Sequence, residues 1–140
     1  VLLDMGIDLN GYKSDLTRMF FLGRISPLIQ QTHHRVYESQ RMAIAGIKPG
    51  VTSSEIDGLA RKHLKKFKLD QYFGHALGHG VGLEIHESPR LSSGDSTLLQ
   101  EGMIITVEPA VYLPQKFGIR IEDMILVTKK GCEVLSDHIY

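Results

Sequence analysis

VLLDMGIDLNGYKSDLTRMFF, residues 1–21, decides the fold class and poses the functional question. Asn10-Gly11 stands between two apolar runs, and both residues tolerate positive φ, so the dipeptide predicts a two-residue hairpin turn. That turn pairs Leu9 with Tyr12, Gly6 with Asp15 and Asp4 with Thr17. Asp4 and Asp15 then leave one face of the sheet as diagonal neighbours about 7–8 Å apart. Carboxylates set side by side in this way repel each other, and the pair calls for a cation.

A second stretch repeats the pattern. MIITVEPAVYLPQKFGIRIEDMILV, residues 103–127, reads as a hairpin about a five-residue loop at 113–117. Tyr112 then faces Gly118, Ala110 faces Arg120, and Glu108 faces Glu122. One face carries Glu108, Tyr112, Arg120 and Glu122. The other carries Ile105, Val107, Val111, Ile119, Ile121 and Ile125 and belongs to a core. Like charges directly opposite are destabilising in an ordinary ladder, and a bulge would shift this register by one. Two hairpins that each present a carboxylate pair are hard to explain as surface decoration.

Between them lies GHALGHGVGLEIHESP, residues 74–89, with His75, His79 and His86. Gly74, Gly78 and Gly80 argue against a helix. In an extended strand, four residues span about 13 Å, so His75 and His79 cannot both ligate one ion. At most one histidine is then a metal ligand and the others line the cleft, with Gly80 and Gly82 supplying the bend that brings His86 back. No GxGxxG motif opens a helix here, which excludes a dinucleotide loop. Four carboxylates and one imidazole form a hard, oxygen-rich donor set suited to Mn²⁺, Co²⁺, Fe²⁺ or Zn²⁺. Four acids carry more negative charge than one divalent ion balances, so two ions about 3.5–4 Å apart fit better.

The remainder is a scaffold. Ser26-Pro27 predicts the cap and first position of a helix over about 27–45, closed by Gly46 and Pro49-Gly50. Thr52-Ser53-Ser54-Glu55 is a capping box opening a second helix to about Phe67, with Arg61, Lys62, Lys65 and Lys66 on a solvated face. His33, His34, His63 and His138 read as solvated, and Cys132 as incidental in the turn of a final hairpin around Gly131. The class is α+β: a hairpin, two helices, then an antiparallel sheet with the helices on one face.

At 140 residues the chain reads as one domain, residues 1–140, able to bury ~70% of its unfolded surface. Net charge is zero with no basic run, which points away from nucleic acid and anionic membranes. No apolar segment approaches the ~18 residues of a membrane span, and the start carries no signal-peptide pattern. A single cysteine excludes an internal disulfide and fits a reducing, cytoplasmic setting. The chain opens inside a strand without a methionine, which predicts that the domain continues upstream of Val1.

Asp4 and Asp15 in DMG…GYKSDLTR, His79 in GHALGHGVGLEIHE, Glu108 in VEPAVY and Glu122 in GIRIEDM resemble the pita-bread metallopeptidases. The likeness covers nearly all of the chain, with intervals of 11, 64, 29 and 14 between the five residues. The short Glu108–Glu122 interval resembles the proline-directed branch, the Xaa-Pro aminopeptidases and Xaa-Pro dipeptidases (prolidases). The resemblance implies a dinuclear site, with Mn²⁺ favoured over Co²⁺, Zn²⁺ or Fe²⁺. Asp4 would chelate one ion, Asp15 and Glu122 would bridge both, and His79 and Glu108 would complete the second. It further implies that a bridging water or hydroxide cleaves between an N-terminal residue and proline, with Glu108 as general base. His75 and His86 would orient the substrate carbonyl, and Tyr112 and Arg120 would stand in the cleft wall. Arg120 also makes independent sense as a cation beside the acids. A peptide with proline in second position is the implied partner, and a homodimer the implied full-length assembly, with a half-repeat and an N-terminal domain upstream. The alternatives are a methionine or other aminopeptidase on this fold, or a peptide-binding module without catalysis.

Overall fold

The computed structural model describes residues 1–137, so His138 lies outside the described residues. Strands β1 (Leu2–Met5) and β4 (Leu16–Met19) pair antiparallel, and β2 (Asp8–Leu9) and β3 (Tyr12–Lys13) form the tip of the same hairpin. Leu9 faces Tyr12 and Asp4 faces Thr17, as the turn predicts. Asn10 and Gly11 adopt φ of 55° and 88°, the left-handed pair that such a turn requires.

Helix α1 (Pro27–Gly46) starts on the Ser26 cap, whose hydroxyl accepts from the Ile29 amide. Helix α2 (Ser53–Lys65) starts on a complete capping box between Thr52 and Glu55. Both run within a turn of their expected ends. The two helices pack on each other, and Val36, Ala43, Ile56, Ala60 and Leu64 join the strand residues in one core.

Five further strands form an antiparallel sheet, in spatial order β11 (Gly131–Val134), β10 (Asp123–Thr128), β7 (Ile104–Val107), β5 (Gly78–Gly80) and β6 (Glu87–Leu91). The expected core face is buried throughout: Ile105, Val107, Val111, Ile119, Ile121 and Ile125 are all at most 8% exposed. The hairpin expected over 103–127 is interrupted. Its outer ladder joins β7 to β10, and its inner ladder joins β8 (Ala110–Leu113) to β9 (Phe117–Arg120). Both ladders keep the same register, so no bulge intervenes. Glu108, Pro109, Ile121 and Glu122 stand in the gap. Pro109 has no N–H to donate, the Glu108 amide donates to the Leu77 carbonyl at 2.7 Å, and the Glu122 amide to the Thr17 carbonyl at 3.2 Å. The gap therefore ties the second hairpin to the first hairpin and to the histidine segment.

Two expectations on α2 are corrected. His63 is buried, in the apolar stripe with Ile56, Ala60 and Leu64, its ring against Phe67 and its Nε2 3.3 Å from Glu38. Arg61 is half-buried and bonded, while Lys62, Lys65 and Lys66 face solvent as expected. His33 is half-buried against Phe21, and His34 is exposed. Cys132 is half-buried, its thiol donating to the Ile44 carbonyl. Among the described residues, no helix is long and apolar enough to cross a membrane.

Candidate metal centre

The gap in the second hairpin is where the site assembles. Asp4, Asp15 and Glu122 each offer an oxygen within 4.8 Å of the others, and His79, Glu108 and Glu122 do the same. Glu122 belongs to both groups. Asp15 joins a third group with His79 and His86. All five residues expected around the ions are therefore brought together.

Four of the five side chains, those of Asp4, His79, Glu108 and Glu122, are held from behind. Glu122 is 2% exposed, and one carboxylate oxygen accepts from the Thr17 hydroxyl at 2.7 Å. The Thr17 oxygen in turn accepts from Arg120 Nε at 3.1 Å. Arg120 also donates to the Tyr112 hydroxyl at 2.6 Å and to Asp4, so one guanidinium ties three members of the wall. The Thr106 hydroxyl accepts from the His79 amide at 3.1 Å and donates to Glu108 at 3.4 Å. His79 Nδ1 donates to the Gly80 carbonyl at 3.0 Å, which fixes the proton there and turns Nε2 to the acids. Nε2 stands 3.3 Å from Glu108 and 3.7 Å from Asp15.

The electrostatics are those of an overcrowded acid cluster. Burial, with the charges of Glu108, Asp15 and Asp4 behind it, pushes Glu122 up to about 8 despite the Thr17 hydroxyl. Burial and then the Asp4 carboxylate raise Asp15 above the usual carboxylate range. Burial works against a charged His79, but its hydrogen bonds to Glu108 and the Gly80 carbonyl outweigh it and raise the imidazole. Four carboxylates, one bare imidazole nitrogen and no thiolate fit two hard or borderline divalent ions.

An open cavity of about 570 Å³ adjoins the cluster, lined by His75, His79, His86, Glu108 and Arg120 among others. His86 comes closer to the acids than an extended segment allows. The β5–β6 pairing shifts register between His79 and Gly80, and the His86 ring meets that of His79 edge-on at 4.3 Å. His75 lies 5.8 Å from the Tyr112 ring. Two contributors escape a reading of the sequence. Thr17 is fully buried between Arg120 and Glu122, and its place opposite Asp4 in the first hairpin was the available signal. Arg90 lines the cavity because it pairs with His79 across β5 and β6, a long-range register that no local pattern reveals.

The sequence model of Metallopeptidase family M24 matches residues 1–129. The chain is 45% identical over 136 residues to an Xaa-Pro dipeptidase of Pyrococcus furiosus, covering 97% of this chain and 39% of that protein. Among solved structures, the prolidase from Pyrococcus horikoshii OT3 superposes with a TM-score of 0.95 at 43% identity, over 97% of this chain and 39% of that one. The X-Pro aminopeptidase from Thermotoga maritima superposes at 0.94 with 39% identity, over 96% and 38%. The chain spans about two-fifths of the length of these relatives.

Proposed function

Because the chain belongs to metallopeptidase family M24 and has its α+β pita-bread fold, we propose that the full-length protein hydrolyses the bond between an N-terminal residue and proline, as an Xaa-Pro dipeptidase or aminopeptidase. The observation that supports this most directly is the pair of ligand groups sharing Glu122 at the edge of a cavity.

Asp4, Asp15, His79, Glu108 and Glu122 would hold two divalent ions, Mn²⁺ in preference to Co²⁺, Zn²⁺ or Fe²⁺. When bound, the ions supply an activated water and polarise the scissile carbonyl. The chain's own residues do the rest. Glu108 takes up and passes on a proton at its carboxylate. His75 and His86 flank the substrate from the cavity wall, and Arg120 with Tyr112 keeps Asp4 turned inward. Arg90 adds a cation to that wall, suited to the free carboxylate of a dipeptide. A cytoplasmic homodimer is the setting that fits this reading.

The test is hydrolysis of an Xaa-Pro dipeptide and an Xaa-Pro-containing tripeptide by the full-length protein. Cleavage after loading with Mn²⁺, abolished by a chelator, is expected. Intact peptides under every divalent ion, with ions demonstrably bound, would leave only a binding role.

A further inference from the structure

Arg61 belongs by sequence to the charged flank of α2, yet its guanidinium is spent entirely on its neighbours. Nε donates to Asp57 at 2.7 Å, one turn back on α2, and Asp57 is fully buried. The other two nitrogens reach off the helix, one to the Phe73 carbonyl at 2.9 Å and one to the His75 carbonyl at 2.5 Å. The guanidinium also lies over the Phe73 ring, 4.3 Å from its centroid, and Phe73 meets the His75 ring edge-on at 5.1 Å. One side chain thus holds both the backbone and the aromatic bed of the residue that enters the cavity.

The His75 ring is itself poised. Its Nδ1 donates to the Ala76 carbonyl at 2.8 Å, since a carbonyl can only accept, and this leaves Nε2 as the nitrogen without a proton in the neutral ring. Among the described residues Nε2 has no hydrogen-bond partner and is buried, although the residue lines the cavity. A buried nitrogen left unpaired is costly, and the partner this unprotonated nitrogen lacks is a donor, which a substrate N–H can supply.

We propose that Arg61, anchored by Asp57, is a positioning residue for His75: it sets the imidazole against the cavity through the Phe73 and His75 carbonyls. The proposal rests on the peptidase reading above. Only an arginine satisfies one carboxylate and two carbonyls in a single plane; lysine keeps the ion pair and forfeits the fork. Small displacements of a group around a reacting centre cost up to ~100-fold in rate.

The experiment uses the full-length protein and the variants Arg61→Lys, Arg61→Ala, His75→Ala and Arg61→Lys/His75→Ala. Arg61→Ala strands a buried carboxylate, so Arg61→Lys is the deciding variant should the first fail to fold. Bound Mn²⁺ and a cooperative melt are measured first. In Arg61→Lys we expect wild-type ion content, a fall in kcat of about tenfold or more with KM little changed, and a double variant no slower than His75→Ala. In the ion-free protein, the ¹³C-labelled His75 ring signals should shift while those of His86 hold. Unmoved His75 signals, or rate losses that multiply in the double variant, overturn the proposal. A wild type that cleaves no Xaa-Pro peptide overturns the functional reading instead, and the His75 signals then still decide whether Arg61 sets that ring.

Discussion

Glu108 and Glu122 face each other across a gap where two ladders of identical register are interrupted. Their amides donate outward, to Leu77 and Thr17, rather than to each other's strand. A pair of like charges that would weaken a continuous ladder is thereby built into the junction of three segments, where Asp4, Asp15 and His79 also converge. The cost of that arrangement lies in the folded chain before any ion binds, and it can be measured.

Removing charge from the cluster should stabilise the ion-free protein. Asp15→Asn/Glu122→Gln relieves the crowding that holds both carboxyls above their ordinary values. The ion-free melting temperature should rise by about 3–6 °C, corresponding to ~1–2 kcal/mol. Saturating Mn²⁺ at a hundred times its Kd should add ~2.7 kcal/mol for each ion bound, about 5 kcal/mol for two, to the wild type and nothing to the double variant. Equal ion-induced shifts in the two proteins would remove these carboxylates from the metal site.

Glu108→Gln and His86→Ala separate two kinds of contribution. On the proposed reading Glu108 would combine an ion contact with a proton route, so Glu108→Gln should cut turnover by ~10²–10⁴-fold. His86 sits against His79 and Asp15 but outside the five-residue set, so His86→Ala should lower kcat while two ions remain bound. Metal analysis alongside steady-state kinetics checks both. Loss of one ion from the His86 variant would make that imidazole a ligand.

Much of this centre is legible in the sequence because short-range chemistry governs its parts. Asn10-Gly11 sets the first register, the Thr52–Glu55 box starts α2, and alternation sorts Glu108 and Glu122 from the core positions beside them. What escapes is non-local. The sheet order places β5 between β7 and β6, and nothing within residues 74–91 announces those partners. His63 was hidden by its charged neighbours, although its spacing from Ile56 and Ala60 already put it on the buried stripe. Arg61 shows the limit of reading a helix alone, because the carbonyls it serves lie on a later loop.

Gly78 and Gly80 of the histidine segment are required by close approach rather than by flexibility. A Cβ on Gly78 would lie 1.9 Å from the Thr106 carbonyl oxygen, and one on Gly80 would lie 2.3 Å from that of Ser88. Both obstacles are backbone and cannot rotate away. Gly78→Ala and Gly80→Ala should each cost about 3 kcal/mol, read by chemical denaturation. Gly74→Ala, with open space around it, serves as the control and should stay within about 0.5 kcal/mol of wild type. A Gly80→Ala protein of wild-type stability would mean that β5 and β6 are not packed as described.

Arg90 offers a way to tell dipeptidase from aminopeptidase behaviour. The cavity beside the acids is dominated by carboxylates and imidazoles, and Arg90 joins Arg120 as a guanidinium in its wall. Arg120 is committed to Asp4, Tyr112 and Thr17. A dipeptide ending in proline carries a free carboxylate next to the scissile bond, and a longer peptide carries a neutral amide there. If Arg90 receives that carboxylate, Arg90→Ala should raise KM for an Xaa-Pro dipeptide by about tenfold, the loss of one charge-assisted hydrogen bond of ~1.5 kcal/mol. KM for the corresponding Xaa-Pro amide should hardly change, and kcat should be preserved for both. Equal effects on dipeptide and amide would assign Arg90 to the support of β6 alone, and preference for longer peptides in the wild type would then be expected.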